Sequence, residues 1–457
     1  MRLTFHGGAG SVTGANYLLE IEGEKKPIKF LIDCGLHQGG HFAEKENFEA
    51  FSYDPKEIDA LFVTHAHIDH VGLIPKMFRE GFRGTVYSTP PTRDCAELLL
   101  LDSEHLLQKE AERERTAPLY TVIDIETAMR HWHGVPYHET IEYGGMKISF
   151  LDAGHVLGSS IVKFEIREKN ISRSIVFSGD LGNDSAPIIK PTEQVEAADY
   201  CIIESTYGDR VHEEAMKQEE ALEDVIEATV KAGGTLLIPA FALERTQKLL
   251  YHLNNLFEKG KVPRAPVFID SPLAIKLTGV YKKYEHYFNK ETRAQVKSGD
   301  DILNFPNLRL CLTSEQSKEI NEVMPPKIII AGSGMSQGGR ILHHEKRYLP
   351  DPKSTILFAG YQTKGSLGRA ILDGAKKVTI HGEEVEVHAR RVAVSGYSAH
   401  ADQPKLLHWL RSMRYSLRKV FVVQGENGAS LTLAGKIKDM FAVEAVVPKK
   451  GESFELV

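Results

Sequence analysis

At 457 residues, with 42% hydrophobic and 26% charged side chains, the composition is that of a soluble globular protein too long for one ordinary core, so two domains are expected. A net charge of −6 argues against a broadly basic nucleic-acid binder, so any polyanion must be held by a local patch or a metal. No apolar run approaches a membrane span, and His6, Gly7 and Gly8 follow Phe5 at once, without the long apolar stretch of a signal peptide.

In chain order, short β-rich runs bounded by Gly, Pro and Asp predict strands over residues 17–21, 28–32, 61–64, 86–88, 148–151, 175–178 and 200–203. One long helix over 92–112 interrupts them, with Leu98, Leu101, His105 and Leu106 at helical spacing. From about residue 209 the pattern changes. A Glu-rich helix over 213–231 stops at Gly233-Gly234, then a strand over 235–238 and a helix over 244–257 follow. Strands over 267–269, 328–331 and 355–359 continue the alternation, the last two running into Gly-rich turns. Strand, turn and helix in repetition predict a parallel α/β sheet. After about residue 390, β-type runs return at 392–394 and 420–423 with a helix between them. The expected architecture is a β-rich domain, residues 1–208 and 391–457, interrupted by an α/β insert, residues 209–390. Four cysteines (Cys34, Cys95, Cys201 and Cys311) form no CxxC pair, which fits a reducing, cytoplasmic setting without a disulfide framework or a cysteine metal site.

The chemistry concentrates where strands end. The run Thr64-His65-Ala66-His67-Ile68-Asp69-His70 offers four ligand-type side chains in six residues, and an irregular loop after a strand can aim all of them at one centre. Imidazole suits zinc, and a carboxylate neutralises its charge. His155, in Ala153-Gly154-His155, and Asp180, in Ser178-Gly179-Asp180, also follow strands. So does Asp33, which reads as a residue that orients a ligand histidine rather than a ligand itself.

Asp33, the His65–His70 cluster, His155 and Asp180, in this order, resemble the metallo-β-lactamase superfamily. The resemblance implies a four-layer αββα sandwich with a two-metal site at one edge. It assigns His65, His67 and His155 to one zinc, Asp69 and His70 to the other, and Asp180 to both. Beyond these residues, Glu204-Ser205-Thr206-Tyr207-Gly208 and Ser398-Ala399-His400-Ala401-Asp402 resemble motifs of the β-CASP nucleases. Pro239-Ala240-Phe241-Ala242, Asp270-Ser271-Pro272, Ser333-Gly334-Met335 with Gly338-Gly339-Arg340, and Gly360-Tyr361-Gln362 with Gly368-Arg369 resemble signatures of the β-CASP insert. The likeness is strongest to bacterial and archaeal relatives of the nuclease subunit of the cleavage and polyadenylation factor. No further RNA-binding module is expected before Met1 or after Val457.

Gly-rich turns before a helix present backbone N–H groups to anions, and Arg340 and Arg369 follow such turns. The alternative reading is that these glycines make tight βα turns and the arginines cap helices. With the resemblance, Ser333, Arg340, Ser366 and Arg369 are the expected substrate contacts. Asp69, Glu204 and His400 are the expected catalytic residues.

One position departs from the family. Where it places a histidine before Gly-Glu, this chain has Gln424 before Gly425-Glu426. An amide oxygen is a weaker ligand for zinc than imidazole, so the second ion is expected to bind less tightly. The expected function is a zinc-dependent ribonuclease acting on single-stranded RNA. Its metal-held hydroxide attacks phosphorus in line, and His400, oriented by Glu204, protonates the leaving oxygen. The insert is expected to cover the site. Two alternatives stay open: a non-catalytic RNA-binding paralogue, favoured by Gln424, and a small-molecule metallohydrolase of the same fold. No membrane partner is expected, and a homodimer is compatible with the sequence.

Overall fold

The computed structural model describes residues 1–457 except 24–25, 40–44, 169–170, 184–186, 213–216, 361, 364 and 395–397. Tyr361 of the insert signature and residues 213–216, the expected start of the Glu-rich helix, lie outside the described residues. The chain divides into two compact units, Met1–Val211 with His400–Val457, and His212–Ala399.

The first unit contains, among the described residues, two seven-stranded sheets. One runs Ser453–Glu455, Arg2–Gly7, Asn16–Ile21, Ile28–Ile32, Ala60–Phe62, Thr85–Ser88 and Trp132–Gly134. The other runs Glu444–Val446, Lys419–Val423, Tyr200–Glu204, Ile171–Phe177, Ser160–Glu168, Met146–Asp152 and Thr140–Tyr143. Side chains alternate across a strand, and the two cores of this unit follow that alternation. Ile175, Phe177, Ile202, Phe421 and Val423 of the second sheet join Phe5, Leu19, Phe30 and Phe62 of the first in the core between the sheets. Their neighbours Val176, Cys201, Ile203, Val420 and Val422 face the other way, into a core with Leu406 and Leu410 of the helix Gln403–Arg411 and Leu433 and Ile437 of the helix Asn427–Phe441. Strands buried on both faces need apolar residues throughout, which is why these segments are legible as short apolar runs.

This arrangement gathers the carboxyl ends of several strands at one edge. Ile28–Ile32 and Ala60–Phe62 are parallel, as are Ile171–Phe177, Tyr200–Glu204 and Lys419–Val423. Met146–Asp152 and Ile171–Phe177 each pair antiparallel with Ser160–Glu168 between them, so they also point one way. Asp33, His65, His155, Asp180, Glu204 and Gln424 all fall at or just beyond these ends.

In the second unit, a six-stranded sheet runs Leu308–Leu310, Val267–Asp270, Lys327–Ala331, Thr235–Pro239, Thr355–Phe358 and Arg390–Ala393, with every pairing parallel. Arg390–Ala393 differs from the sequence-based division at residue 390. Pairing with Thr355–Phe358 makes it the last strand of the insert's sheet rather than the start of the returning domain. Its polar sequence, Arg-Arg-Val-Ala, suits an edge strand and carries no signal of which sheet it joins. Among the described residues, no helix is long and apolar enough to cross a membrane.

Candidate metal centre

The strand Ala60–Phe62 ends at the sheet edge, where the chain turns through His65 and enters the short helix Ile68–Val71 with His67 as its N-cap. The turn is packed too closely to tolerate side chains behind it. A Cβ on Gly35 would lie 1.5 Å from the Asp69 carbonyl oxygen.

Asp33, held in a left-handed conformation (φ 57°), binds this loop from beneath. Its Oδ1 accepts the Thr64 N–H at 2.8 Å, and its Oδ2 accepts the Thr64 hydroxyl at 2.8 Å and His70 Nδ1–H at 2.7 Å. Asp33 therefore orients His70 and turns its Nε2 toward the centre.

Four donor atoms converge on one side. His67 Nδ1 lies 3.0 Å from His65 Nε2 and 3.2 Å from His155 Nε2. Asp180 Oδ2 lies 3.4 Å from His65 Nε2 and 3.6 Å from His155 Nε2. A tetrahedron with zinc–ligand distances of about 2.0–2.1 Å has edges of about 3.4 Å, so these atoms mark corners of the right size for such an ion. Their electrostatics agree. Burial, reinforced by His65, holds His67 well below the usual imidazole range, and burial with His400 does the same for His155, so both rings are neutral donors. Burial alone would raise Asp180, but His70, His65 and His400 outweigh it and keep the carboxylate ionised. Asp180 Oδ1 is buried without a hydrogen-bond partner among the described residues, as a bridging ligand's second oxygen would be.

That oxygen faces the second half of the site, 3.5 Å from His70 Nε2, with Asp69 Oδ2 3.8 Å from the same nitrogen. Gln424, also left-handed (φ 46°), brings its amide nitrogen to 2.9 Å from His70 Nε2.

Glu204 is wholly buried. Its Oε1 accepts the Leu181 N–H at 2.6 Å, and its Oε2 lies 3.1 Å from His400 Nδ1, which is 3.8 Å from Asp180 Oδ2. His400 is fixed by its bridge to Gly182, and the next N–H, of Ala401, donates to the Leu181 carbonyl at 2.8 Å. Burial would lower the His400 pKa, but Glu204 and Asp180 outweigh it and raise it to about 10. The His400 side chain is 25% exposed and that of Asp69 18%, against 4% or less for His65, His70, His155 and Asp180.

The four insert residues lie on two Gly-rich turns that touch, the Gly368 N–H donating to the Met335 carbonyl at 3.2 Å. Arg340 Nη1 donates to Asp270 Oδ1 at 2.8 Å and to the Cys311 carbonyl at 2.9 Å, and its Nη2 to the Leu312 carbonyl at 3.0 Å. Ser366 caps the helix Leu367–Leu372, accepting the Arg369 N–H at 3.1 Å. Arg369 forms a two-pronged pair with Asp373, and Ser333 Oγ accepts the Gln337 N–H at 3.0 Å. Of these, Ser366 acts as a helix cap, whereas the two arginines bond to Asp270, Asp373 and loop carbonyls.

Two contributors escaped the sequence reading. Thr64 Oγ1 links Asp33 to His65 Nδ1 at 3.1 Å, and Ser159 Oγ accepts the N–H groups of His155 and Val156 at 3.0 and 3.1 Å. The only sequence signal is a small hydroxyl residue one and four positions from a ligand.

Models of three families match the chain: the metallo-beta-lactamase superfamily domain over residues 18–188, the Beta-Casp domain over 246–371, and the Zn-dependent metallo-hydrolase RNA specificity domain over 384–448. The chain is 37% identical to Ribonuclease TTHA0252 of Thermus thermophilus over 99% of both chains. It is 33% identical to Transcription termination factor FttA of Methanocaldococcus jannaschii over 98% of this chain and 70% of that one. A crystal structure of an Enterococcus faecalis protein of unknown function shares the fold, with a TM-score of 0.56 at 14% identity over 100% of this chain and 99% of that one. With the strand-end cluster, the sandwich and the inserted parallel sheet in place, the chain belongs to the β-CASP nucleases of the metallo-β-lactamase superfamily.

Proposed function

We propose that this protein is a zinc-dependent ribonuclease that hydrolyses phosphodiester bonds of single-stranded RNA. The convergence of His65, His67, His155 and Asp180 at tetrahedral spacing carries this reading. A ribonuclease with 37% identity along its full length supports the substrate class. The same relatives disfavour the small-molecule hydrolase.

When bound, the ions supply an acidified water and neutralise charge on the phosphate. The chain's own residues do the rest. Asp180 keeps the donors of both halves in register, and Asp33 fixes His70 for the second half. Glu204 accepts His400 Nδ1–H, which orients the ring as the acid. The attacking water gives up one proton to solvent as its oxygen bonds to phosphorus, the phosphorus–O3′ bond breaks, and His400 gives its proton to the departing O3′. The products carry a 5′-phosphate and a 3′-hydroxyl.

Within the insert, Arg340, Ser333 and Ser366 act as supports of the Gly-rich turns, and phosphate contact falls to the more exposed Arg369. The four cysteines are unpaired and buried, which supports the cytoplasmic setting. Zinc content per chain, measured with cleavage of end-labelled single-stranded RNA, tests the proposal. Bound zinc and 5′-phosphorylated products are expected. Protein never exposed to chelator that holds no transition metal would sink it.

A further inference from the structure

The sequence pattern makes Gln424 a weak stand-in ligand. The geometry points to a different role: we propose that Gln424 is an internal cap on His70, occupying the nitrogen a second ion needs, so that the second site fills only when the amide is displaced. The proposal rests on the metal centre described above and concerns how its two halves load.

His70 has no other nitrogen to offer. Its Nδ1 is held by Asp33 at 2.7 Å, and its Nε2 meets the Gln424 amide nitrogen at 2.9 Å. An amide NH2 donates hydrogen bonds and has no lone pair available for a cation. The amide oxygen, the only atom of Gln424 that could ligate, points elsewhere. A Cβ on Gly8 would lie 2.5 Å from Gln424 Oε1 and 2.5 Å from the Tyr17 hydroxyl, so these oxygens are no further apart than the sum of the two distances. Both are buried and lack a hydrogen-bond partner among the described residues. They line a cavity of about 10 Å³ with Asp33, Thr64 and His70, about the size of one water. The Tyr17 hydroxyl is a donor that reaches the amide oxygen through one such water. Gly8, left-handed at φ 65°, keeps that space open.

The backbone prevents retreat. Gln424 N–H donates to the Gly8 carbonyl at 2.7 Å, and the Gln424 carbonyl accepts the Ser205 N–H at 3.3 Å and the Thr206 hydroxyl at 3.0 Å. Admitting a second ion therefore requires rotation of the terminal amide, with loss of its bond to His70, rather than a small shift of the strand end. Loading of the second half then follows the free metal concentration.

The cap and the weak ligand predict opposite signs when the amide is removed. The test is a titration of the metal-stripped full chain with Co²⁺, read by visible absorption and calorimetry, for the parent, Gln424→Ala and the volume-conserving Gln424→Leu. Circular dichroism checks that each variant is folded. The parent is expected to bind one ion tightly and a second weakly. Both variants should bind the second ion about tenfold more tightly, the scale of one net hydrogen bond. Weaker or unchanged second-ion binding in the variants overturns the cap. So does a parent that binds two ions with equal affinity. A parent that fails to bind even the first ion overturns the cap and the metal centre together, and the first step of the titration reports that separately.

Discussion

At the scale of single residues, the cluster assigns different tasks to two acidic-site neighbours 3.8 Å apart, Asp180 and His400. Asp180 touches His65, His70 and His155, whereas His400 is tied to Glu204. His400→Ala should leave the metal content intact and cut the cleavage rate by about two to four orders of magnitude. Asp180→Ala should lose metal as well as rate, because three donors lose a shared partner. Elemental analysis beside single-turnover cleavage separates the two, and equal metal loss in both variants would mean that the roles are misassigned. The candidate ligands were legible because four of them occupy six consecutive residues, and the family resemblance then assigned them to two ions. The contact between Gln424 and His70 was not. It joins residues 354 positions apart, and its meaning depends on which end of the amide faces the ring.

At the scale of elements, two local features can be tested. The turn at Asp33-Cys34-Gly35 lies against the ligand helix Ile68–Val71, with the Cys34 N–H on the His70 carbonyl at 2.8 Å. Gly35→Ala would push a methyl group into the Asp69 carbonyl and displace Asp69 and His70 together. The expected outcome is loss of the second ion before the first, with destabilisation of about 1–3 kcal/mol from overpacking, measured by denaturant unfolding and metal analysis. In the insert, the helix Ile341–Tyr348 carries Glu345, fully buried and bonded through Oε1 to the Ser336 hydroxyl. Burial pushes its pKa up to about 7, with the Ser336 bond opposing. The folded state therefore prefers the protonated acid, and stability present below the ordinary value near 4.5 is lost as pH rises through about 7. Glu345→Gln, which cannot ionise, should match the parent at pH 5 and exceed it by about 2 kcal/mol at pH 8. A stability difference that does not change with pH between these values would contradict the assignment.

Across the whole molecule, metal binding couples distant parts of the chain. Asp33 and Gln424 bracket the sequence of the centre, and the donors come from both sheets of the first unit. An ion that binds only the folded arrangement stabilises it by about 2.7 kcal/mol at a hundredfold excess over its dissociation constant. The chain has two tryptophans, Trp132 and Trp409, both buried in the first unit, so intrinsic fluorescence reports that unit's unfolding. Chelation should lower the fluorescence-detected melting temperature, and added zinc should restore it. A transition indifferent to chelator would mean that the strand-end donors do not hold an ion.

By itself the sequence determined the candidate strand-end donors, a β-rich domain and a parallel insert, because each is written in local patterns: dense histidines, apolar runs of strand length, and Gly-rich turns between strand and helix; the four-layer sandwich came from the family resemblance. The strand Ser160–Glu168 escaped that reading because its buried positions, Ile161, Val162, Phe164 and Ile166, are interleaved with Lys163, Glu165 and Arg167 rather than continuous. Only the tertiary structure decided that Arg390–Ala393 closes the insert's sheet, that Arg340 is bound to Asp270 and two carbonyls, and that Gln424 turns its nitrogen to His70. The physical reason is common to all three. A polar side chain or an edge strand has several partners of comparable energy, and which one it takes is fixed by what the rest of the fold brings within reach.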